Sequence, residues 1–179
     1  HVATVVTFEP TGRSNIQRFA GMFTETGVGA GFGDMNGNGV YVVSDLLGAS
    51  NGSFEQVLYS QNNLFNAAAD VNGDGRVTNV DLFALGDELT TEGASAAALN
   101  AYDQLLVKRG DVNLDGATNG ADVAALHASF GQSSWQADLN ANGVVGLADV
   151  STLITELVRT SFGDFNLDRR VDGADFLTW

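Results

Sequence analysis

The sequence has no cysteine, a single proline and two methionines in 179 residues. Without cysteine, disulfides, thiolate metal sites and cysteine nucleophiles are all excluded. Secretion is not excluded, because bound metal ions can supply cross-links where disulfides are missing. Histidine is limited to His1 and His127, too few for a zinc site or a histidine-based catalytic cluster. His127 stands between apolar residues of a helical stretch and reads as a packed or surface side chain. Basic residues are also scarce, 8 against 22 acidic ones, giving a formal net charge of -14. That balance excludes charge-driven binding to nucleic acid or to an anionic membrane. No apolar run approaches the roughly 20 residues of a spanning helix, so no membrane span is expected. The length fits one domain or two small ones, with enough chain to bury a core. A start at His1 rather than Met reads as a processed product or a fragment.

What the sequence does contain is a recurring phrase, Asp-x-Asn-x-(Asp/Asn)-Gly, then five residues, then Asp. Copies start at Asp34, Asp70, Asp111, Asp138 and Asp164, offset by 36, 41, 27 and 26 residues. Each is 12 residues long, the length of an EF-hand loop. In that loop positions 1, 3, 5 and 12 give side-chain oxygens, position 7 a carbonyl, and position 6 is the glycine of a sharp turn. Loop one offers Asp34, Asn36, Asn38, the Val40 carbonyl and Asp45. Loop two offers Asp70, Asn72, Asp74, the Arg76 carbonyl and Asp81, with Thr78 at position 9. Loop three offers Asp111, Asn113, Asp115, the Ala117 carbonyl and Asp122, with Asn119 at position 9. Loop four offers Asp138, Asn140, Asn142, the Val144 carbonyl and Asp149. Loop five offers Asp164, Asn166, Asp168, the Arg170 carbonyl and Asp175, with Asp172 at position 9.

Positions 1, 5 and 12 take 13 of the 22 acidic residues, so the acidity is local rather than a diffuse solubilising surface. Two or three carboxylates in one short loop repel unless a cation sits between them. Hard oxygen donors on a flexible loop favour Ca²⁺ over Mg²⁺, so up to five calcium ions are expected. One Asp-Asn-Gly stretch alone would read as a turn; five copies with one spacing do not. Loops two and three, with three carboxylates and a glycine each, are expected to bind tightest, and loops one and four more weakly. Loop five has Arg169 where glycine belongs, and a non-glycine residue at positive φ costs about 1 kcal/mol.

Apolar stripes of helical period follow the loops: Leu82, Leu85 and Leu89; Val123, Leu126 and Phe130; Val150, Leu153, Ile154, Leu157 and Val158. A further helix is expected over Ala94–Arg109, with Lys108 and Arg109 in its last turn, and another around Phe54, Val57 and Leu58. Gln132–Ala137 and Thr160–Gly163 are too short for entering helices, so the repeating unit is a loop plus an exit helix. The chain stops at Phe176-Leu177-Thr178-Trp179, midway through what reads as the last exit helix. Position 8 of the loops is Tyr41, Val77, Thr118, Val145 and Val171, apolar enough for loops to pair through a short β-bridge.

The unit Asp111-Val-Asn-Leu-Asp-Gly-Ala-Thr-Asn-Gly-Ala-Asp122 with its short helix resembles a dockerin-type repeat. The likeness covers 34–179 and is strongest over 110–179. It implies an extracellular location in a bacterial secreted or surface protein, calcium-dependent folding, and assembly or attachment rather than catalysis. Dockerins often place a hydroxyl pair at loop positions 10 and 11 against their cohesin partner. The matching pairs here are Val43-Ser44, Asn79-Val80, Gly120-Ala121, Leu147-Ala148 and Gly173-Ala174, none of which holds two hydroxyls.

His1–Phe8 is rich in β-branched residues and reads as a strand ended by Glu9-Pro10. Gly27–Gly33 lacks the spacing and the lysine of a phosphate loop and reads as a linker. Asn51-Gly52-Ser53 matches a glycosylation sequon. The expected fold is therefore mostly α, with tandem calcium-loop plus exit-helix repeats (dockerin- or EF-hand-like) and a short N-terminal β segment. Three regions follow: 1–33, strand and linker; 34–109, loops one and two with intervening helices; 110–179, three tandem repeats with the last truncated. No catalytic grouping is found. Aspartate at every position 12 and the shortage of methionine argue against a calcium sensor. The expected function is a non-catalytic, calcium-stabilised extracellular module whose protein partner is either another copy, head to tail in a filament or layer, or a cohesin-like or other surface receptor.

Overall fold

A computed structural model describes residues 31–48, 52–61 and 63–178. The strand expected over His1–Phe8, most of the Gly27–Gly33 linker, Asn51 and Trp179 lie outside the described residues. The fold is mostly helical, with no strand among the described residues. The helices are α1 (Val43–Leu46), α2 (Phe54–Tyr59), α3 (Asn79–Thr91), α4 (Ala96–Arg109), α5 (Gly120–Ala128), α6 (Leu147–Thr152) and α7 (Gly173–Thr178). α6 runs on without a break into a π-helical stretch, Leu153–Val158.

Short polar side chains start α2, α3, α4 and α5 by satisfying free N–H groups of the first turn. Ser53 accepts from Gln56, Ser95 from Ala98, Thr78 from Val80 and Asn119 from Ala121. α3 ends where Gly93 takes a φ of 70° and the Ala94 N–H turns back to the Leu89 carbonyl, a left-handed stop that glycine allows without strain.

α4 is the hub. It packs on α1, on α3 and on the π-helical stretch, while α5 packs on α6. Its Leu105 and Leu106 join Leu82, Leu85 and Leu89 of α3, Leu126 of α5, and Leu153 and Leu157 in one buried apolar cluster. That cluster runs from Met35 to Leu167, across position 110. Tyr102 of α4 donates to the Leu82 carbonyl at 3.0 Å. Its ring reaches α3 because Gly86 has no side chain; a Cβ there would stand 2.5 Å from the hydroxyl. Beyond the π-helical stretch Arg159, at φ 58°, lies over the Tyr102 ring and pairs with Asp103 at 2.7 Å. Lys108 pairs with Glu55, and Tyr59 donates to the Lys108 carbonyl, tying α2 to the end of α4.

The expected helix over Ala94–Arg109 starts two residues later, where Ser95 caps it. The stripe from Val150 to Val158 is helical as expected, but its second half is π rather than α.

Candidate metal centres

The five Asp/Asn segments share one hydrogen-bond pattern. The first residue's Oδ2 accepts the sixth N–H: Gly39 to Asp34 at 2.7 Å, Gly75 to Asp70 at 2.9 Å, Gly116 to Asp111 at 2.9 Å, Gly143 to Asp138 at 2.8 Å, and Arg169 to Asp164 at 2.8 Å. The third residue's Oδ1 (Asn36, Asn72, Asn113, Asn140, Asn166) accepts the fifth N–H. The fifth residue's Oδ1 (Asn38, Asp74, Asp115, Asn142, Asp168) accepts the seventh N–H at 2.9 Å in every segment. The residues that supply the seventh carbonyl, Val40, Arg76, Ala117, Val144 and Arg170, are all exposed.

The backbone makes this possible by turning left-handed twice. At position 6, φ is 84° at Gly39, 86° at Gly75, 92° at Gly116 and Gly143, and 71° at Arg169. At position 4 it is 69° at Gly37, 72° at Gly73, 61° at Leu114, 58° at Ala141 and 59° at Leu167. The position 6 turn is the one the spacing requires. The position 4 turn has no sequence signal in segments three to five, where no glycine marks it.

Position 12 has a second role. Asp45, Asp81, Asp122, Asp149 and Asp175 are all buried, and each accepts the N–H of the ninth residue at 2.7–2.9 Å. Each thereby satisfies a free N–H at the start of its exit helix, the carboxylate half of a capping box. The other oxygen accepts the third residue's N–H in segments two to five, at 3.1–3.3 Å. In segment one it takes the Asn36 amide instead, at 2.9 Å. At position 9, Thr78, Asn119 and Asp172 accept from the N–H two residues on, so their side chains cap helices.

Burial pushes the Asp81 carboxyl up; the Asn72 and Thr78 N–H groups oppose this, while the charges of Asp74 and Asp70 add to it. Asp45 is raised in the same way, by burial first and with Asp34 contributing. Asp175 goes the other way, held below its ordinary value by the Asp172 N–H.

Among the described residues no three or more His, Asp or Glu side chains form a group that could hold a metal ion on their own. Each segment carries two or three carboxylates together with carboxamide side chains. One observation bears directly on fit. Asp70 Oδ1 is buried and has no hydrogen-bond partner, alone in this among the side-chain atoms of the described residues. A buried anionic oxygen left unpaired costs at least about 1–3 kcal/mol. A hard cation beside Asp70 Oδ1 would offset that cost.

The expected β-bridge between loops is corrected at position 8 of segment four. Val145 exchanges main-chain hydrogen bonds with Gly131 and Gln132, at 2.9 and 3.0 Å. Its backbone is thus spent on the chain that follows α5, not on another loop. Thr118 donates its hydroxyl to the Val107 carbonyl at 2.6 Å. His127 is exposed, with its ring 4.8 Å from that of Phe130.

Two residues, one in segment two and one just before segment three, have roles the sequence did not disclose. Arg109 is 2% exposed and donates to Asn79 Oδ1 at 2.9 Å, the Gln136 carbonyl at 2.9 Å and the Trp135 carbonyl at 2.7 Å. It also lies 4.7 Å over the Trp135 ring. Burial lowers its pKa to about 10, with Tyr59, Asp138 and Asp149 opposing. Asn79, at position 10 of segment two, donates to the Leu139 carbonyl at 2.9 Å. No protein-family model, curated protein or solved structure matches the chain.

Proposed function

We propose that the chain is a calcium-stabilised, non-catalytic module of extracellular protein assembly. The observation that carries this is the unpaired, buried Asp70 Oδ1; in the other four segments the matching oxygen accepts the fifth residue's N–H at 3.0–3.2 Å. Five divalent ions would bring the formal charge from -14 to -4. Bound calcium would supply the positive charge that the clustered carboxylates lack. Asp70, Asn72, Asp74, Asp81 and the Arg76 carbonyl would hold it in segment two, and the matching positions in the other segments.

The exit helices run from 4 to 13 residues, at or below the length that is marginal for an isolated helix in water. Their stability therefore depends on the packed core and on the segments that start them. Calcium, in this reading, is structural rather than regulatory.

The partner is proposed to be another copy of the chain, in head-to-tail contact that gives a filament if it does not close. Support comes from Phe162, Phe165, Phe176 and Leu177, which are exposed near segment five; such surface favours protein contact. Size measurement with calcium and with a chelator tests this. Calcium-dependent growth in mass is expected, and a monomer under both conditions would overturn it.

A second reading, an anchor for a distinct surface receptor, is favoured by a groove lined by Val123, His127, Phe130, Leu147, Ile154 and Phe162. Recovery of a receptor in calcium without self-association would support it over the first.

A further inference from the structure

Segments two and four are far apart in sequence but joined by two side chains. Asn79 is position 10 of segment two and the first residue of α3. Its amide nitrogen donates to the carbonyl of Leu139, at 2.9 Å, and approaches that of Asp138, at 3.4 Å. Those are positions 2 and 1 of segment four. Its oxygen accepts from Arg109, whose guanidinium also grips the Trp135 and Gln136 carbonyls just ahead of that segment. The main chain that places Asp138 is therefore held by α3 and by the end of α4.

We infer that Asn79 and Arg109 are positioning residues that couple cation binding in segment two to cation binding in segment four. The inference rests on the calcium reading of those segments. Without a cation, Asp70, Asp74 and Asp81 repel one another, and Asp81 is the residue that ties down the start of α3 through the Thr78 N–H. Loosening that first turn moves Asn79, and with it the Leu139 carbonyl. A cation in segment two fixes the turn and so presents Asp138 in its bound position beforehand. Affinity in segment four rises because less ordering remains to be done. The coupling is reciprocal.

Terbium is a usable probe because Trp135 precedes Asp138 by three residues, a reach of at most about 10 Å. Trp135 also lies over Arg109, two residues before Asp111, so indole-sensitised terbium emission reports segment four in a Trp179→Phe, Asp115→Ala background that disables segment three. Segment two is disabled with Asp74→Ala, an exposed position 5. With Asn79 intact, this change is expected to weaken terbium binding at segment four by at least about fivefold. In an Asn79→Ala background it should weaken binding by less than about twofold, and in a Val80→Ala control the full effect should persist. If Asn79→Ala does not fold, Arg109→Lys replaces it, since lysine keeps the charge but not the fork that holds two carbonyls. An effect of Asp74→Ala that is equally large with and without the Asn79→Ala change overturns the coupling alone. So does the absence of any effect of Asp74→Ala when Asn79 is intact. Absence of sensitised emission from the parent overturns the coupling together with the calcium reading of segment four.

Discussion

Asn79 and Arg109 meet at 2.9 Å inside the molecule, the carboxamide oxygen accepting from the guanidinium Nε. The arginine's other hydrogen-bond partners are main-chain carbonyls. A buried cation depends on the hydrogen bonds that replace its water. Arg109→Ala would leave Asn79 Oδ1 and the Trp135 and Gln136 carbonyls without donors. The expected cost is about 3 kcal/mol or more, measured by denaturant unfolding in calcium. The opposite end of the helix tolerates change: Ala97→Ser, on an exposed face, should fall within about 0.5 kcal/mol.

Positions 5 and 12 of a segment separate binding from folding. Asp122 is fully buried and accepts from Val112, Asn113 and Asn119. Asp122→Ala should therefore destabilise even the metal-free protein, by about 2–3 kcal/mol. Asp115 is exposed. Asp115→Ala should leave metal-free stability within about 0.5 kcal/mol while lowering calcium affinity in segment three about tenfold or more. Thermal melts and calcium titrations on the two variants check both halves.

Left-handed residues give a graded test of strain. Arg169→Gly, at φ 71°, should stabilise segment five by about 0.5–1 kcal/mol. Leu114→Gly, at φ 61° and 63% exposed, should gain a similar amount. Leu167→Gly has the same backbone at φ 59° but is 6% exposed, so the lost burial outweighs the relief and the variant should be less stable. Denaturant unfolding of the three variants checks the order.

pH dependence follows from Asp81 and Asp45. Burial, assisted by neighbouring carboxylates, raises both above the ordinary 3.8. A carboxyl raised in the fold contributes stability that is present below 3.8 and is lost as pH rises through the raised value. Asp175 is lowered and works in the opposite sense: its contribution is present above 3.8 and lost as pH falls through its folded value. Asp175 titrates below 3.8, outside the range from mild acid to neutral pH, so Asp81 and Asp45 set the sign there: metal-free protein should melt higher in mild acid than at neutral pH. In calcium the order should reverse, because protons compete with the cation for Asp81. Melting temperatures of metal-free and calcium-loaded protein across that range check the sign.

Most of the helical frame was legible in the sequence because its cause is local. Leu82, Leu85 and Leu89 repeat with helical period and are fully buried. Lys108 and Arg109 marked the end of α4, and Arg169 stood out as a non-glycine at a left-handed turn. The π-helical stretch was not legible, since over six residues the apolar stripe of Leu153, Ile154, Leu157 and Val158 serves either helix. Val145 pairs with Gly131 and Gln132 rather than with another loop, a choice made by how α5 ends. Arg109 read as a charge at a helix terminus. Its burial depends on the chain returning at Trp135–Leu139, a long-range event that local pattern does not encode. Leu114 and Leu167 hid the position 4 turn behind side chains that ordinarily avoid it.

Calcium in these segments is proposed to hold the fold together. The most direct measurement is calorimetric titration of calcium into metal-free protein, with far-ultraviolet circular dichroism followed in parallel. Binding at up to five sites per chain is expected, tightest in segments two and three, with a gain of helical signal that a chelator reverses. No heat of binding, with a helical spectrum indifferent to calcium and chelator, would contradict it.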